Sequence, residues 1–244
     1  MSDKTRLPVA ILAGGLATRL RPVTETVPKV LLEVAGKPFL EHQLALLREQ
    51  GVEDVVLCVG FLGDSICDRV QDGRSHGIRI SYSFDGPKLL GTGGAIRKAL
   101  PLLGEAFFVM YGDSYLRINF AEVEGAFRRL AKPGLMTLFH NRDLWDVSNV
   151  CYANGAITRY DKTLRSPDMQ HIDYGLSVFK SEVFAEYAPD EVFDLAHVMR
   201  TLVDRGEMAG FEARERFYEI GSREGWRELD QFLSNGVQQK QETL

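Results

Sequence analysis

Three features of the sequence predict an α/β fold on a mostly parallel sheet. Apolar runs rich in β-branched and aromatic residues recur at 9–13, 55–59 and 106–111. They are too short for helices and lack the alternation of a half-exposed strand, so they read as strands buried on both faces. Each ends on glycine, at Gly14, Gly60 and Gly112, and segments with apolar residues at helical spacing lie between them. Strand and helix alternating in this way describe a parallel sheet covered on both faces.

The first run breaks at Gly14-Gly15. Two adjacent glycines allow positive φ and let peptide N–H groups approach an anion. Arg19, Arg21 and Lys29 follow, with Pro22 and Pro28 stiffening the chain between them. Residues 12–29 thus read as a polyphosphate cradle, a glycine turn with solvated cations being the alternative. Pro38 marks a helix start, and Leu40, Leu44 and Leu47 carry that helix to Gly51. Residues 55–59 form the second strand and 61–70 the next helix. Residues 78–82 alternate, as a strand near an edge does. Ala95, Ile96, Ala99, Leu100 and Leu103 form one helical face, 106–111 a buried strand ending at Gly112-Asp113, and Val123, Ala126, Phe127 and Leu130 a further helical face.

Beyond about residue 135 the rhythm changes. Short strand-like pieces at 136–139, 148–152, 156–160 and 176–179 are joined by turns such as Ala153-Asn154-Gly155. Helices follow at 192–203 and 224–233. This half is expected to add strands to the sheet edge and a small β subdomain, with a frayed polar tail over 234–244.

The 244 residues suffice for one substantial core, and a single domain over 1–244 is expected. The hydrophobic and charged fractions, 45% and 26%, are those of a soluble globular chain. A net charge of −5 without a basic block argues against nucleic acid as a partner. Cys58, Cys67 and Cys151 have neither disulfide-framework nor zinc spacing and suggest a reducing compartment. The first fifteen residues carry too short an apolar run for a signal peptide, and no stretch approaches membrane-spanning length, so a cytoplasmic protein with no membrane partner is expected. No oligomeric state follows; a homo-oligomer stays open.

Ligands of such sheets sit beyond the carboxyl ends of the strands, where helix N-termini point. The glycines after the first strand and Asp113 after the run at 106–111 both lie at such ends. A carboxylate closing a buried strand calls for a partner. Opposite a polyphosphate loop that partner is a divalent cation, and oxygen ligands with phosphate suit Mg²⁺; a turn or cap aspartate is the alternative. The G-x-G-x-x-G fingerprint and the G-K-[ST] of a P-loop are both missing, so hydride transfer and Walker-type hydrolysis lose support.

Residues 12–44, LAGGLATRLRPVTETVPKVLLEVAGKPFLEHQL, resemble the N-terminal signature of the sugar-1-phosphate nucleotidyltransferases, L-A-G-G-x-G-T-R-L-x-P-x-T-x-x-x-P-K-x-x-x-x-x-x-G-K-P. The likeness extends to LGTGGAI at 90–96, YGDS at 111–114 and YEIGSREGW at 218–226, in the same order over most of the chain. It implies a Rossmann-like, three-layer nucleotide-diphospho-sugar transferase fold, with a nucleotide-binding half at about 1–133 and a sugar-phosphate-binding half at about 134–233. It implies an enzyme that joins a nucleoside triphosphate to a sugar 1-phosphate with release of pyrophosphate and with Mg²⁺ as cofactor. The short length resembles the heptose-, mannose- and N-acetylmuramate-1-phosphate members.

Carried onto this sequence, the resemblance implies that Leu12, Ala13, Gly14 and Gly15 face nucleobase and phosphates. Gly91, Thr92 and Gly93 would lie along base and ribose. Arg19 would hold the departing phosphates, Lys29 the α-phosphate, and Asp113 the Mg²⁺ with Glu219. Asp161 would meet sugar hydroxyls, Lys162 the sugar phosphate, and Asp173 and Gly175 the sugar. Three departures stand out: Ala17 for the pattern's glycine, Glu219 for its second aspartate, and Asp173 for asparagine. They keep open a non-catalytic nucleotide-sugar-binding subunit. The loop at 90–96 favours GTP with a heptose or mannose 1-phosphate, while UTP with a hexosamine phosphate and CTP with phosphocholine remain alternatives. His42, His76, His140, His171 and His197 show no ligand spacing and read as surface or capping residues. Trp145 reads as packing, with a place in the sugar pocket as the alternative.

Overall fold

The computed structural model describes residues 6–241; what the sequence implied for 1–5 and 242–244 lies outside the described residues. Nine strands form one sheet: β1 (Val9–Leu12), β2 (Asp54–Val59), β3 (Arg79–Phe84), β4 (Ala106–Tyr111), β5 (Gly134–His140), β6 (Val150–Ala153), β7 (Ala156–Tyr160), β8 (His171–Lys180) and β9 (Met208–Glu212). Their spatial order is β3-β2-β1-β4-β8-β5-β9-β7-β6. The first four are mutually parallel, with β3 at the edge as its alternation predicts. β8 runs antiparallel to β4 and β5, and β7 antiparallel to β9 and β6, while β9 and β5 are parallel.

The sheet is therefore mixed, which corrects the expectation of a mostly parallel one. A parallel neighbour requires a crossover, usually helical, whereas an antiparallel one needs only a turn. β6 and β7 are joined by Asn154-Gly155, at φ 53° and 77°, the positive pair of a tight hairpin turn. No helix separates β7 from β8. Nor is there a detached β subdomain, because the late strands extend the main sheet. Among the described residues only two short ribbons stand apart, Glu33–Val34 with Lys37–Pro38 and Ser114–Tyr115 with Tyr218–Glu219. β9 was not legible, since Gly210 interrupts its five residues.

Six α-helices among the described residues complete the layers: α1 (Phe39–Glu49), α2 (Gly63–Val70), α3 (Gly91–Ala99), α4 (Phe120–Leu130), α5 (Leu195–Asp204) and α6 (Arg223–Gln241). Successive strand residues face opposite sides. Val9 and Ile11 therefore pack with Leu40 and Leu44 of α1, Ile66 of α2 and Phe120 of α4, whereas Ala10 packs with Ile96 of α3 and Met199 of α5. Phe108 and Phe120 meet at 5.0 Å between ring centroids, and truncating either to alanine should cost about 3–5 kcal/mol. α6 docks through Leu229 onto Val34, Phe39 and Ile220. It continues to Gln241. No helix among the described residues is long and apolar enough to cross a membrane.

Local geometry at the cradle also departs from expectation. Neither Gly14 nor Gly15 takes a positive φ. Gly14 is required for another reason: a Cβ there would stand 2.9 Å from the Gly60 nitrogen, so its bareness lets the cradle loop lie against the end of β2. The left-handed position is Ala17, at φ 46° and ψ 46°. That conformation costs an L-residue about 1–2 kcal/mol. Thr24 Oγ1 donates to the Ala17 carbonyl at 2.9 Å and helps hold it. Ala17→Gly is accordingly expected to raise Tm by a few degrees at most, the gain being offset by the entropy glycine adds to the unfolded chain. A drop in Tm measured by calorimetry would show that alanine is unstrained there.

Candidate active site

Two adjoining cavities open at the carboxyl ends of β1, β2 and β4. The smaller, about 230 Å³, is lined by Leu12, Ala13, Gly14, Gly15, Lys29, Gly91, Thr92 and Asp113. The larger, about 470 Å³, is lined by Arg19, Asp113, Asp161, Lys162, Asp173, Gly175 and Glu219. Tyr111 and Asp113 line both and form the boundary between them. The sequence-predicted residues thus sort into two sets that meet at the end of β4. Gly93 is the exception. It faces Phe193, whose ring a Cβ would overlap at 2.3 Å, so it serves α3 packing and lines neither cavity.

Register explains how residues 84 and 106 positions apart converge on Asp113. The ribbon pairs Glu219 with Ser114, and Ile220 N donates to the Asp113 carbonyl at 2.9 Å. From the other side Lys29 Nζ donates to Asp113 Oδ2 at 2.7 Å. Both side chains are about one-quarter to one-fifth exposed, 24% and 21%. Burial alone would raise the Asp113 pKa, but Lys29, aided by Arg19, outweighs it and holds the carboxyl below its ordinary range.

Glu219 is engaged by its own loop. Its Oε2 accepts from Gly221 N and, at 3.0 Å, from Ser222 N, while Oε1 accepts from the Ser222 hydroxyl. A Cβ placed on Gly221 would stand 2.7 Å from Glu219 Oε2 and 3.0 Å from both Asp113 Oδ2 and Arg19 Nη2. Two carboxylate oxygens therefore face one small space that glycine leaves open. An all-oxygen pair of this kind fits the donor set Mg²⁺ takes, so the residues present fit the expected cation.

In the larger cavity Asp173 is only 3% exposed. Its Oδ2 accepts from the hydroxyls of Tyr111 at 3.3 Å and Tyr160 at 3.4 Å, and its Oδ1 from Gly175 N at 3.1 Å. Lys162 Nζ lies 3.8 Å from Asp173 Oδ2, donates to the Tyr111 hydroxyl at 3.0 Å and stands 4.8 Å from the centre of the Tyr111 ring. Burial works against the ammonium, but Asp173, Tyr160 and Asp194 together raise its pKa. Gly175, at φ 99°, turns the backbone so that its N–H reaches Asp173, and a side chain there would crowd Ser114 Oγ at 3.0 Å. Asp161 Oδ1 accepts from Thr163 N, Thr163 Oγ1 and Leu164 N at 2.8–2.9 Å, which lowers its pKa to about 2. Arg200 stands 3.2 Å from the same oxygen.

Four residues in or beneath these cavities escaped the sequence reading: Gln43, Asp85, Tyr111 and Tyr160. Gln43, 1% exposed on the apolar face of α1, donates from Nε2 to the carbonyls of Tyr111 at 3.2 Å and Ser114 at 2.9 Å, on either side of Asp113. A glutamine between Leu40 and Leu44 was the signal, since a polar group on a buried face needs partners. Gln43→Leu is expected to lower kcat about tenfold by loosening Asp113, with Tm changing by a few degrees. Unchanged kcat would make Gln43 a packing residue only. Asp85, 7% exposed, lines the smaller cavity and accepts from Leu90 N at 3.1 Å. Trp145 lies outside both cavities, under the Arg216 guanidinium at 3.4 Å.

Residues 9–148 match the family model described as nucleotidyl transferase. The N-acetylmuramate alpha-1-phosphate uridylyltransferase of Neisseria meningitidis is 31% identical over 218 residues, covering 87% of this chain and 92% of its own. The D-glycero-alpha-D-manno-heptose 1-phosphate guanylyltransferase of Campylobacter jejuni is 27% identical, covering 78% and 83%. Among solved structures HddC of Yersinia pseudotuberculosis, complexed with GMP-PN, superposes with a TM-score of 0.75 at 24% identity over 93% of this chain and 99% of its own, a likeness of fold. With its nucleotide-diphospho-sugar transferase fold and its match over most of the chain, this protein belongs to the nucleotidyl transferase family, among the sugar-1-phosphate nucleotidyltransferases.

Proposed function

We propose that the protein joins GTP to a heptose or mannose 1-phosphate, releasing pyrophosphate, with the nucleotide in the smaller cavity and the sugar phosphate in the larger. The observation that carries this reading is the shared boundary at Tyr111 and Asp113, where two anionic substrates, one in each cavity, would meet beside Lys29, Arg19 and Lys162. The chief obstacle to the reaction is repulsion between phosphates, so neutralisation and alignment are what the site must supply. In this reading Lys29 meets the α-phosphate, Arg19, which lines the larger cavity beside Asp113, meets the departing pyrophosphate, and Lys162 meets the attacking sugar phosphate. Asp113 and Glu219 would hold Mg²⁺, which when bound supplies charge neutralisation at the phosphates. The sugar phosphate is already ionised and needs no protein base. The three free cysteines support a reducing, cytoplasmic setting.

Guanine is favoured by Asp85. A buried carboxylate in the smaller cavity can accept two N–H groups from the edge of guanine, and only one from uracil. Burial raises the Asp85 pKa. Base binding should therefore weaken as pH falls through that raised value, whereas the stability cost of the buried charge should be relieved over the same range. The uridylyltransferase relative makes UTP the second reading. Pyrophosphate release from GTP, UTP, CTP and dTTP against a panel of sugar 1-phosphates tests both. GTP preference that falls about 10- to 100-fold in Asp85→Ala is expected. Preference for UTP or CTP would overturn the base assignment, and binding without turnover of any pair would overturn the enzyme.

A further inference from the structure

The face of the sheet at β5, β8 and β9 carries a second cluster of metal-ligating side chains. His171 of β8 pairs directly with His140 of β5, and Glu212 of β9 pairs with Leu138, two residues before His140 on the same face. Strand periodicity thus places two imidazoles and a carboxylate side by side, although 72 residues separate the first from the last. One ligand atom from each lies within 4.8 Å of the others, and among the described residues this is the one such group of three. The imidazoles stack with centroids 4.7 Å apart and planes at 17°. Glu212 Oε1 stands 3.5 Å from His171 Nε2. Expected from sequence as a surface or capping residue, His171 is nine-tenths buried, and its Nδ1 has no hydrogen-bond partner. A buried ring nitrogen left unpaired is disfavoured in a residue that serves packing alone.

We propose that His140, His171 and Glu212 bind a divalent first-row transition metal, Zn²⁺ being the natural probe. Imidazole nitrogen with one carboxylate oxygen is the donor set such ions take, water completing a tetrahedron. It is distinct from the all-oxygen pair at Asp113 and Glu219. Ligands of one zinc lie about 3.3–3.4 Å apart and an imidazole lone pair lies in the plane of its ring, so the cluster must contract by about 1 Å and His140 must turn out of the stack. The exposed partners can make that move. His140 and Glu212 are both at the surface, and only Arg142 Nε, 3.2 Å from His140 Nε2, competes for the outer imidazole. Buried His171 is the fixed point. The bound ion would tie three strands drawn from residues 134–140, 171–180 and 208–212 at the end of the sheet remote from β3.

The test is titration of the full chain with ZnCl₂ by calorimetry, beside thermal unfolding with and without the metal. One Zn²⁺ per chain at micromolar Kd or tighter is expected. Tm should rise by about 5–10 °C at free Zn²⁺ near one hundred times Kd. His140→Ala and Glu212→Gln change exposed side chains and should fold, yet each should weaken binding about 10²-fold and abolish the Tm shift. Asp113→Asn should leave both readouts intact. No binding at tens of micromolar Zn²⁺, undiminished binding in either cluster variant, or loss of binding in Asp113→Asn would each overturn the proposal.

Discussion

Asp113→Asn is expected to lower Mg²⁺-dependent pyrophosphate release by about 10²–10³-fold or more while leaving the protein folded. Asparagine keeps an acceptor for Lys29 and the same volume at the end of β4, so Gln43 and the ribbon still hold the loop. What disappears is the negative charge beside Glu219, and with it the affinity for a dication that we propose for the pair. The stabilisation from the Lys29–Asp113 pair is present above the unfolded aspartate pKa of about 3.9 and is lost as pH falls through the lower folded value. Asp113 therefore stays ionised across the usual assay range. Any acid limb of the rate profile near pH 6 belongs to another group, the second ionisation of the phosphate substrate being one that falls there. Lys29→Met should cost a similar factor, and the double variant little more than either alone, because the two side chains form one unit. A fully active Asp113→Asn enzyme would sink the metal assignment.

The parallel half of the sheet was legible because its strands are buried on both faces and read as unbroken apolar runs. Residues 106–111 were located to the residue. The mixed half was legible as elements, but its strand order was not. β8 inserts between β4 and β5 through contacts that no local pattern encodes. The two cavities could be anticipated from the glycine and lysine motifs. The surroundings of Asp173 could not, because Tyr111 and Tyr160 look like ordinary core aromatics until the fold aims their hydroxyls at one carboxylate. The same holds for His140 and His171, far apart in sequence and adjacent in register.

The second large effect is expected at Lys162. Lys162→Ala should lower kcat/KM for the sugar 1-phosphate about 10²–10³-fold, with the nucleotide KM little changed, since Lys162 lines only the larger cavity. Asp173→Asn asks a sharper question. The sequence suggested that Asp173 touches sugar, but both of its oxygens are held from inside by Tyr111, Tyr160 and Gly175. Its geometry suits a positioning residue that keeps Lys162 charged and aimed at the boundary between the cavities. Burial is the largest single influence on the Lys162 pKa and pushes it down, but Asp173, the strongest of the groups that push it up, acts with Tyr160 and Asp194 to raise it. Removing that charge takes away the strongest influence that opposes burial. The ammonium should then lose its proton at lower pH, and the alkaline limb of kcat/KM should move in the same direction. Tyr111→Phe should move that limb far less, because it removes a hydrogen-bond partner and no charge. If Asp173→Asn changed KM for the sugar phosphate at every pH without displacing the limb, the carboxylate would be contacting substrate, and the charge-holding role would fall.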